Sequence, residues 1–180
     1  MVIFDGPQGV GKDALIAELL KRYPDKFKYI VSYSTRDMRP DEVQGNPYFF
    51  ISTTEFEGKL KTGDIFEYEK WHDTYRGMSH DLIKTATENA IAVKSVGIEG
   101  MRILKKLYSG KVLTIFITVN KELLRSRLET LGSPDVDMRM TDYERRISTM
   151  DEYDFIVDND STLEDLVNRV YEIIKGNLGL

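Results

Sequence analysis

Short apolar runs and amphipathic stretches alternate along this chain. Residues 1–4, 29–31, 91–96, 113–119 and 155–157 are apolar without strict alternation, the pattern of strands covered on both faces. Between them, residues 13–22, 100–108, 121–131, 141–153 and 163–174 repeat apolar side chains three or four apart, as in Leu15/Leu19 and Leu124/Leu128. That spacing predicts helices with one buried stripe. Strands alternating with helices imply an α/β fold on a parallel sheet. Two stretches break the rhythm. Residues 48–79, rich in aromatics and short strand-like runs, predict a small β-rich subdomain. Residues 132–140, Gly-Ser-Pro-Asp-Val-Asp-Met-Arg-Met, are a polar excursion that predicts a mobile lid between two helices.

Composition narrows the picture. A chain of 180 residues fits one domain with a single core and an appended subdomain. Its net charge of −5 gives no basic footprint, which argues against polymeric nucleic acid as a partner. There is no cysteine and only His72 and His80, so disulfides and thiolate zinc are excluded and any metal must take oxygen ligands. No run approaches the roughly 18 apolar residues of a membrane span, and the first residues lack a basic-then-apolar leader pattern. The expectation is a soluble, cytoplasmic protein with no membrane partner, acting as monomer or homodimer.

The chemistry begins at Gly6-Pro7-Gln8-Gly9-Val10-Gly11-Lys12, which has the spacing G-x-x-x-x-G-K between an apolar strand and a helix. Gly6, Gly9 and Gly11 let the backbone curl so that several N–H groups point at phosphate oxygens, the helix N-terminus adds positive potential, and Lys12 reaches the β- and γ-phosphates, which makes Gly9, Val10, Gly11 and Lys12 candidate nucleotide-binding positions. ATP is the implied ligand. Asp13 stands where a Ser or Thr hydroxyl normally meets Mg²⁺. It reads either as a metal-binding carboxylate or as an acid favoured by the helix dipole.

A second cluster, Ser32-Tyr33-Ser34-Thr35-Arg36-Asp37-Met38-Arg39-Pro40, sets two arginines three apart beside hydroxyls. It reads as an anion clamp or as a solvated turn. The order of motifs resembles the guanylate kinases across nearly the whole chain: the P-loop, this cluster, Gly45-x-x-Tyr48-x-Phe50, Gly63-Asp64-x-x-Glu67, an aromatic-glycine turn, a lid and a final Asn159-Asp160. The resemblance implies a P-loop kinase with a parallel-sheet core (1–31, 80–131 and 141–180), an acceptor-binding subdomain at 32–79 and a lid at 132–140. It implies ATP-dependent phosphoryl transfer, with Mg²⁺, to a nucleoside monophosphate, GMP or dGMP. Ser32, Arg36, Arg39 and Tyr48 fall where that family holds the acceptor phosphate, Glu67 where a carboxylate meets the guanine edge, Arg146 where an arginine bridges the transferred group, and Asn159 where adenine is reached. Lys12, Arg36, Arg39 and Arg146 are the implied catalytic residues.

The departures are as specific as the matches. Ser95 and Gly97 stand where the family usually shows two aspartates, and Leu131 where a lid arginine is common, with Arg139 nearby as a substitute. In Tyr75-Arg76-Gly77-Met78 a phosphate-binding tyrosine becomes Arg76 and a base-contacting hydroxyl becomes Met78. Gly-Lys-Asp in the P-loop also resembles ribose 1,5-bisphosphate phosphokinases, and a non-catalytic module reading acidic or phosphorylated segments is the alternative outside enzymes. Trp71 is expected as a packing anchor, His72 as a surface residue and Lys105-Lys106 as a solvated helix face.

Overall fold

The computed structural model describes residues 1–179, the Trp71 side chain excepted, so the packing expected of Trp71 lies outside the described residues. The elements run β1 (Val2–Asp5), α1 (Lys12–Arg22), β2 (Phe27–Tyr29), β3 (Ser32–Ser34), β4 (Tyr48–Phe50), α2 (Thr53–Lys61), β5 (Ile65–Trp71) and β6 (Thr74–Ser79). They continue with α3 (His80–Thr87), β7 (Ile91–Ser95), α4 (Ile98–Leu107), β8 (Leu113–Thr118), α5 (Lys121–Thr130), α6 (Val136–Ile147), β9 (Phe155–Asp158) and α7 (Leu163–Leu178). Among the described residues the strands form a five-stranded sheet in the order β2-β7-β1-β8-β9 and a four-stranded sheet in the order β4-β3-β6-β5. No helix among them is long and apolar enough to cross a membrane.

The chain divides into two compact units. The first, residues 1–27 and 93–180, carries β1 between β7 and β8, both parallel to it, with β9 parallel to β8. Val2, Ile3 and Phe4 are fully buried, as are Ile115, Phe116 and Ile117 of β8, which is why these strands read as unbroken apolar runs. Leu15, Ile16 and Leu19 form the buried stripe of α1, which packs beside α7 and its stripe Leu166, Val167, Val170 and Ile174. Pro24 follows α1 closely and prevents its continuation. Thr162 caps α7 by accepting from the Asp165 N–H at 3.1 Å, and Gly179 closes it with a φ of 67°.

The second unit, residues 28–92, is wider than the 32–79 insertion expected from sequence because it also includes α3. Its sheet mixes a parallel β3–β4 pair with antiparallel β3–β6 and β5–β6 pairs. Phe56, Tyr33 and Ile65 make its core, and Gly77 is required there because a Cβ would lie 2.9 Å from the Phe56 ring and 2.8 Å from Ile65.

The structure corrects several sequence-based bounds. The run 29–31 is not one strand: Tyr29 ends β2, and β3 starts at Ser32. Two helices lie where none was expected, α2 and α3. The first was legible in Ser52, whose hydroxyl accepts from the Glu55 N–H at 3.1 Å, followed by Phe56 and Leu60 one turn apart. The stretch 132–140 is largely helical, since α6 starts at Val136 rather than at 141 and ends at Ile147, with a separate 3₁₀ turn at Met150–Glu152. Asp135, with a φ of 58°, makes the sharp entry after Pro134, and burial of Met140 and Tyr143 holds the new first turns down.

These contacts set an order of sensitivity. Phe56→Ala should lower the unfolding free energy by about 3–5 kcal/mol through an unfilled core. Ser52→Ala should cost about 1 kcal/mol through the lost cap. Denaturant titration measures both, and a cap effect equal to the core effect would contradict this account.

Candidate active site

The first unit holds a phosphate cradle at the turn from β1 into α1. The chain leaves the strand at Gly6, whose φ of 141° and whose position, where a Cβ would fall 2.0 Å from the Ile117 carbonyl oxygen, admit only glycine. Gly11 precedes the first residue of α1 with a φ of 95°, and a Cβ there would fall 2.6 Å from the Asn159 amide nitrogen. The loop is thereby left as bare backbone against its neighbours. Lys12 curls back over it and donates to the carbonyls of Gly6 at 2.7 Å and Pro7 at 2.8 Å. Burial lowers its pKa to about 8, with Asp5 acting in the opposite sense. Gly9 is exposed and Val10 buried, while Asp13 is exposed in the first turn of α1, a position the helix dipole favours for an acid.

Asn159 is buried at the end of β9 and donates its amide to the Val10 carbonyl at 2.7 Å, fastening the loop to the sheet. Its Oδ1 is a buried acceptor with no hydrogen-bond partner among the described residues. The Asn159 carbonyl accepts from Arg127 at 3.0 Å. Arg146, on the last turn of α6, donates from Nη1 to Asp5 at 2.6 Å and from Nε to Asp142 at 2.8 Å. Asp5 is 2% exposed and also accepts from the Gly6 N–H at 2.7 Å and from the Tyr153 hydroxyl. Burial and the Asp5 carboxylate push the Tyr153 phenol well above its ordinary pKa, so it stays a donor.

The second unit contains all six residues expected to bind the acceptor, Ser32, Arg36, Arg39, Tyr48, Glu67 and Arg76. Ser32 is buried and lies opposite Tyr48 in the β3–β4 register. The Tyr48 ring has the guanidinium of Arg36 at 5.5 Å and that of Arg76 at 5.2 Å from its centroid, and Arg36 also lies 4.9 Å from the Phe50 ring. Arg36 forks onto Glu42 at 2.6 and 2.7 Å, which holds the Glu42 carboxyl down to about 2. Arg39 is exposed; its backbone N–H donates to the Glu42 carboxylate at 2.9 Å and its carbonyl accepts from the Glu42 N–H at 3.1 Å. Arg76 faces Glu69 loosely at 3.9 Å. Glu67 sits half-buried on β5, just past a register shift that begins at Ile65.

Other sequence readings find different places. Met78 is 1% exposed and part of the core, so it offers no surface to a base. Leu131 is exposed, and Arg139 holds the Pro134 carbonyl at 3.0 Å, bracing the entry to α6. Sequence reading overlooked Asp5, Asp142, Tyr153 and Glu42. Asp142 could have been found from its i,i+4 spacing to Arg146; Asp5 and Tyr153 are 148 residues apart in sequence, and only folding joins them.

Comparison with known proteins agrees with this layout. The guanylate kinase family profile matches residues 1–177. A guanylate kinase of Lactiplantibacillus plantarum is 34% identical over 169 residues, covering 89% of this chain and 80% of that protein. One from Thermotoga maritima is 32% identical over 179 residues, covering 97% and 86%. The crystal structure of guanylate kinase from Anaplasma phagocytophilum superposes with a TM-score of 0.71 at 21% identity over 98% of this chain and 84% of that one, which is a likeness of fold. With its phosphate cradle, its aromatic-arginine cluster and a family match over nearly its full length, this chain belongs to the guanylate kinase family.

Proposed function

We propose that this protein transfers the γ-phosphoryl group of ATP to a guanine nucleoside monophosphate. The observation that carries the reading is the intact cradle: left-handed glycines too crowded for side chains, with Lys12 folded over the loop they form. Phosphoryl transfer needs positioning and charge stabilisation more than covalent help, so a loop of backbone donors and a few guanidinium groups is an adequate toolkit. Lys12 and Arg146 supply the donor-side cations. Arg36, Arg39 and Arg76 supply the acceptor-side ones, with Ser32 and Tyr48 as hydroxyl partners. Asn159 supports adenine binding through the loop it fastens. Asp13, a single exposed carboxylate beside the cradle, fits a Mg²⁺ ion that takes its remaining ligands from phosphates and water. When bound, that ion would neutralise charge between the β- and γ-phosphates.

Guanine presents N1–H and an amino group side by side, and an ionised carboxylate can accept both, which is the task given to Glu67. The decisive experiment is an ATP-consumption assay on GMP, dGMP, AMP, UMP, dTMP, CMP and ribose 1,5-bisphosphate. GMP or dGMP should lead, and Glu67→Gln should erase the GMP-over-AMP ratio in kcat/KM; a preference for ribose 1,5-bisphosphate or a retained ratio would reject the assignment.

Arg39→Ala and Arg76→Ala should each cost about 2–4 kcal/mol of transition-state stabilisation toward the acceptor while sparing ATP binding. Acceptor kcat/KM at the wild-type level in both variants would show that the cluster serves packing alone. Asp13→Asn should raise the Mg²⁺ concentration at half-maximal rate and leave the melting temperature unchanged. An unaltered Mg²⁺ titration would assign Asp13 to the helix dipole instead.

A further inference from the structure

Arg146 is held between two carboxylates. Nε donates to Asp142 at 2.8 Å, one turn back on α6, and Nη1 donates to Asp5 at 2.6 Å, at the end of β1. Two bonds through different nitrogens fix both the place and the plane of a guanidinium, whereas one contact would leave it free to swing. Nη2 has no hydrogen-bond partner among the described residues.

Asp5 is itself held by several bonds. It is 2% exposed, and its two oxygens also take the Gly6 N–H at 2.7 Å and the Tyr153 hydroxyl. Gly6 is the first residue of the cradle, and its carbonyl holds Lys12 at 2.7 Å. One oxygen of a buried carboxylate, Asp5 Oδ1, therefore accepts both from the loop that carries Lys12 and from Arg146, while Oδ2 takes Tyr153. A buried carboxylate stripped of its cation is costly, so the pair stays closed.

We infer that Asp5 is a positioning residue for phosphoryl transfer: it locks the Arg146 guanidinium in register with the phosphate cradle, leaving Nη2 to donate to an oxygen of the transferred group. This rests on the reaction proposed above. Asp5 touches no substrate in this scheme and acts only through Arg146, while Asp142 fixes the second nitrogen and Tyr153 keeps Asp5 from turning.

The test is a double-mutant cycle. Asp5→Asn keeps an acceptor for the Gly6 N–H and removes the charge that faces Arg146. In the wild-type background it should lower kcat about 10- to 100-fold, the loss expected when a catalytic group is misplaced, with the ATP KM changed less than about threefold. In an Arg146→Ala background the same substitution should change kcat less than about threefold, because the group it positions is gone. If Asp5→Asn does not fold, Asp142→Asn, at a half-exposed helical position, should show the same dependence on background. Rotation of the Arg146 guanidinium, read by nitrogen NMR without substrate, should be slow in the wild type and about tenfold faster or more in Asp5→Asn, as for a lost charge-assisted bond. Equal losses of kcat in both backgrounds, or an unchanged rotation rate, would overturn the inference. A wild type that phosphorylates no GMP while its guanidinium is released by Asp5→Asn would reject the proposed reaction and uphold the anchoring.

Discussion

The first unit is organised around a strand-to-helix turn in which the backbone has no room for side chains. At Gly6 the main chain passes so close to the Ile117 carbonyl that a Cβ would fall 2.0 Å from its oxygen, and at Gly11 it leaves the same kind of gap beside Asn159. Bare backbone at these points lets N–H groups converge on a ligand, and it lets Lys12 lie across the loop on the Gly6 and Pro7 carbonyls. The parallel sheet is what holds the turn there. β1 sits between β7 and β8 with Val2, Ile3 and Phe4 fully buried, so the loop springs from the central strand of the five-stranded sheet.

The second constraint is charge. The chain carries a net −5, yet both units build local clusters of cations. Each unit does so by assigning carboxylates to hold particular arginines: Asp5 and Asp142 for Arg146, Glu42 for Arg36. A guanidinium held by a carboxylate has little orientational freedom left to lose. Arg39 and Arg76 are the counterpart, exposed and weakly tied, and they offer charge without fixed geometry. The Tyr48 ring, with Arg36 and Arg76 both within 5.5 Å of its centroid, gives two like-charged groups a shared neutral neighbour.

Much of this was legible in the residues. The phosphate loop could be read directly because its glycines, lysine and flanking strand and helix are contiguous, so local sterics alone specify the turn. The same holds for the parallel core: β8 and α7 follow from unbroken or periodic apolar positions. Where the pattern was weak the reading failed for identifiable reasons. Residues 132–140 looked like a loop because Gly132, Ser133 and Pro134 are strong breakers, but the helix restarts immediately at Val136 once Met140 and Tyr143 find a core. In α2, the single buried side chain Phe56 was too little periodicity to register, although its cap was present in Ser52.

What the sequence by itself determined, then, was the set of contiguous devices: the phosphate loop, the Arg36/Arg39 cluster, the buried strands and the longer helices. Each depends on neighbours within a few residues, and steric and hydrophobic rules act at that range. What only the tertiary structure decided was which charges meet. Asp5 reaches Arg146 and Tyr153 across more than 140 residues, and Asn159 fastens Val10 across 149. Ionic and hydrogen-bonding partners are chosen by the packing of elements, and a single sequence carries no measure of distance between residues so far apart along the chain.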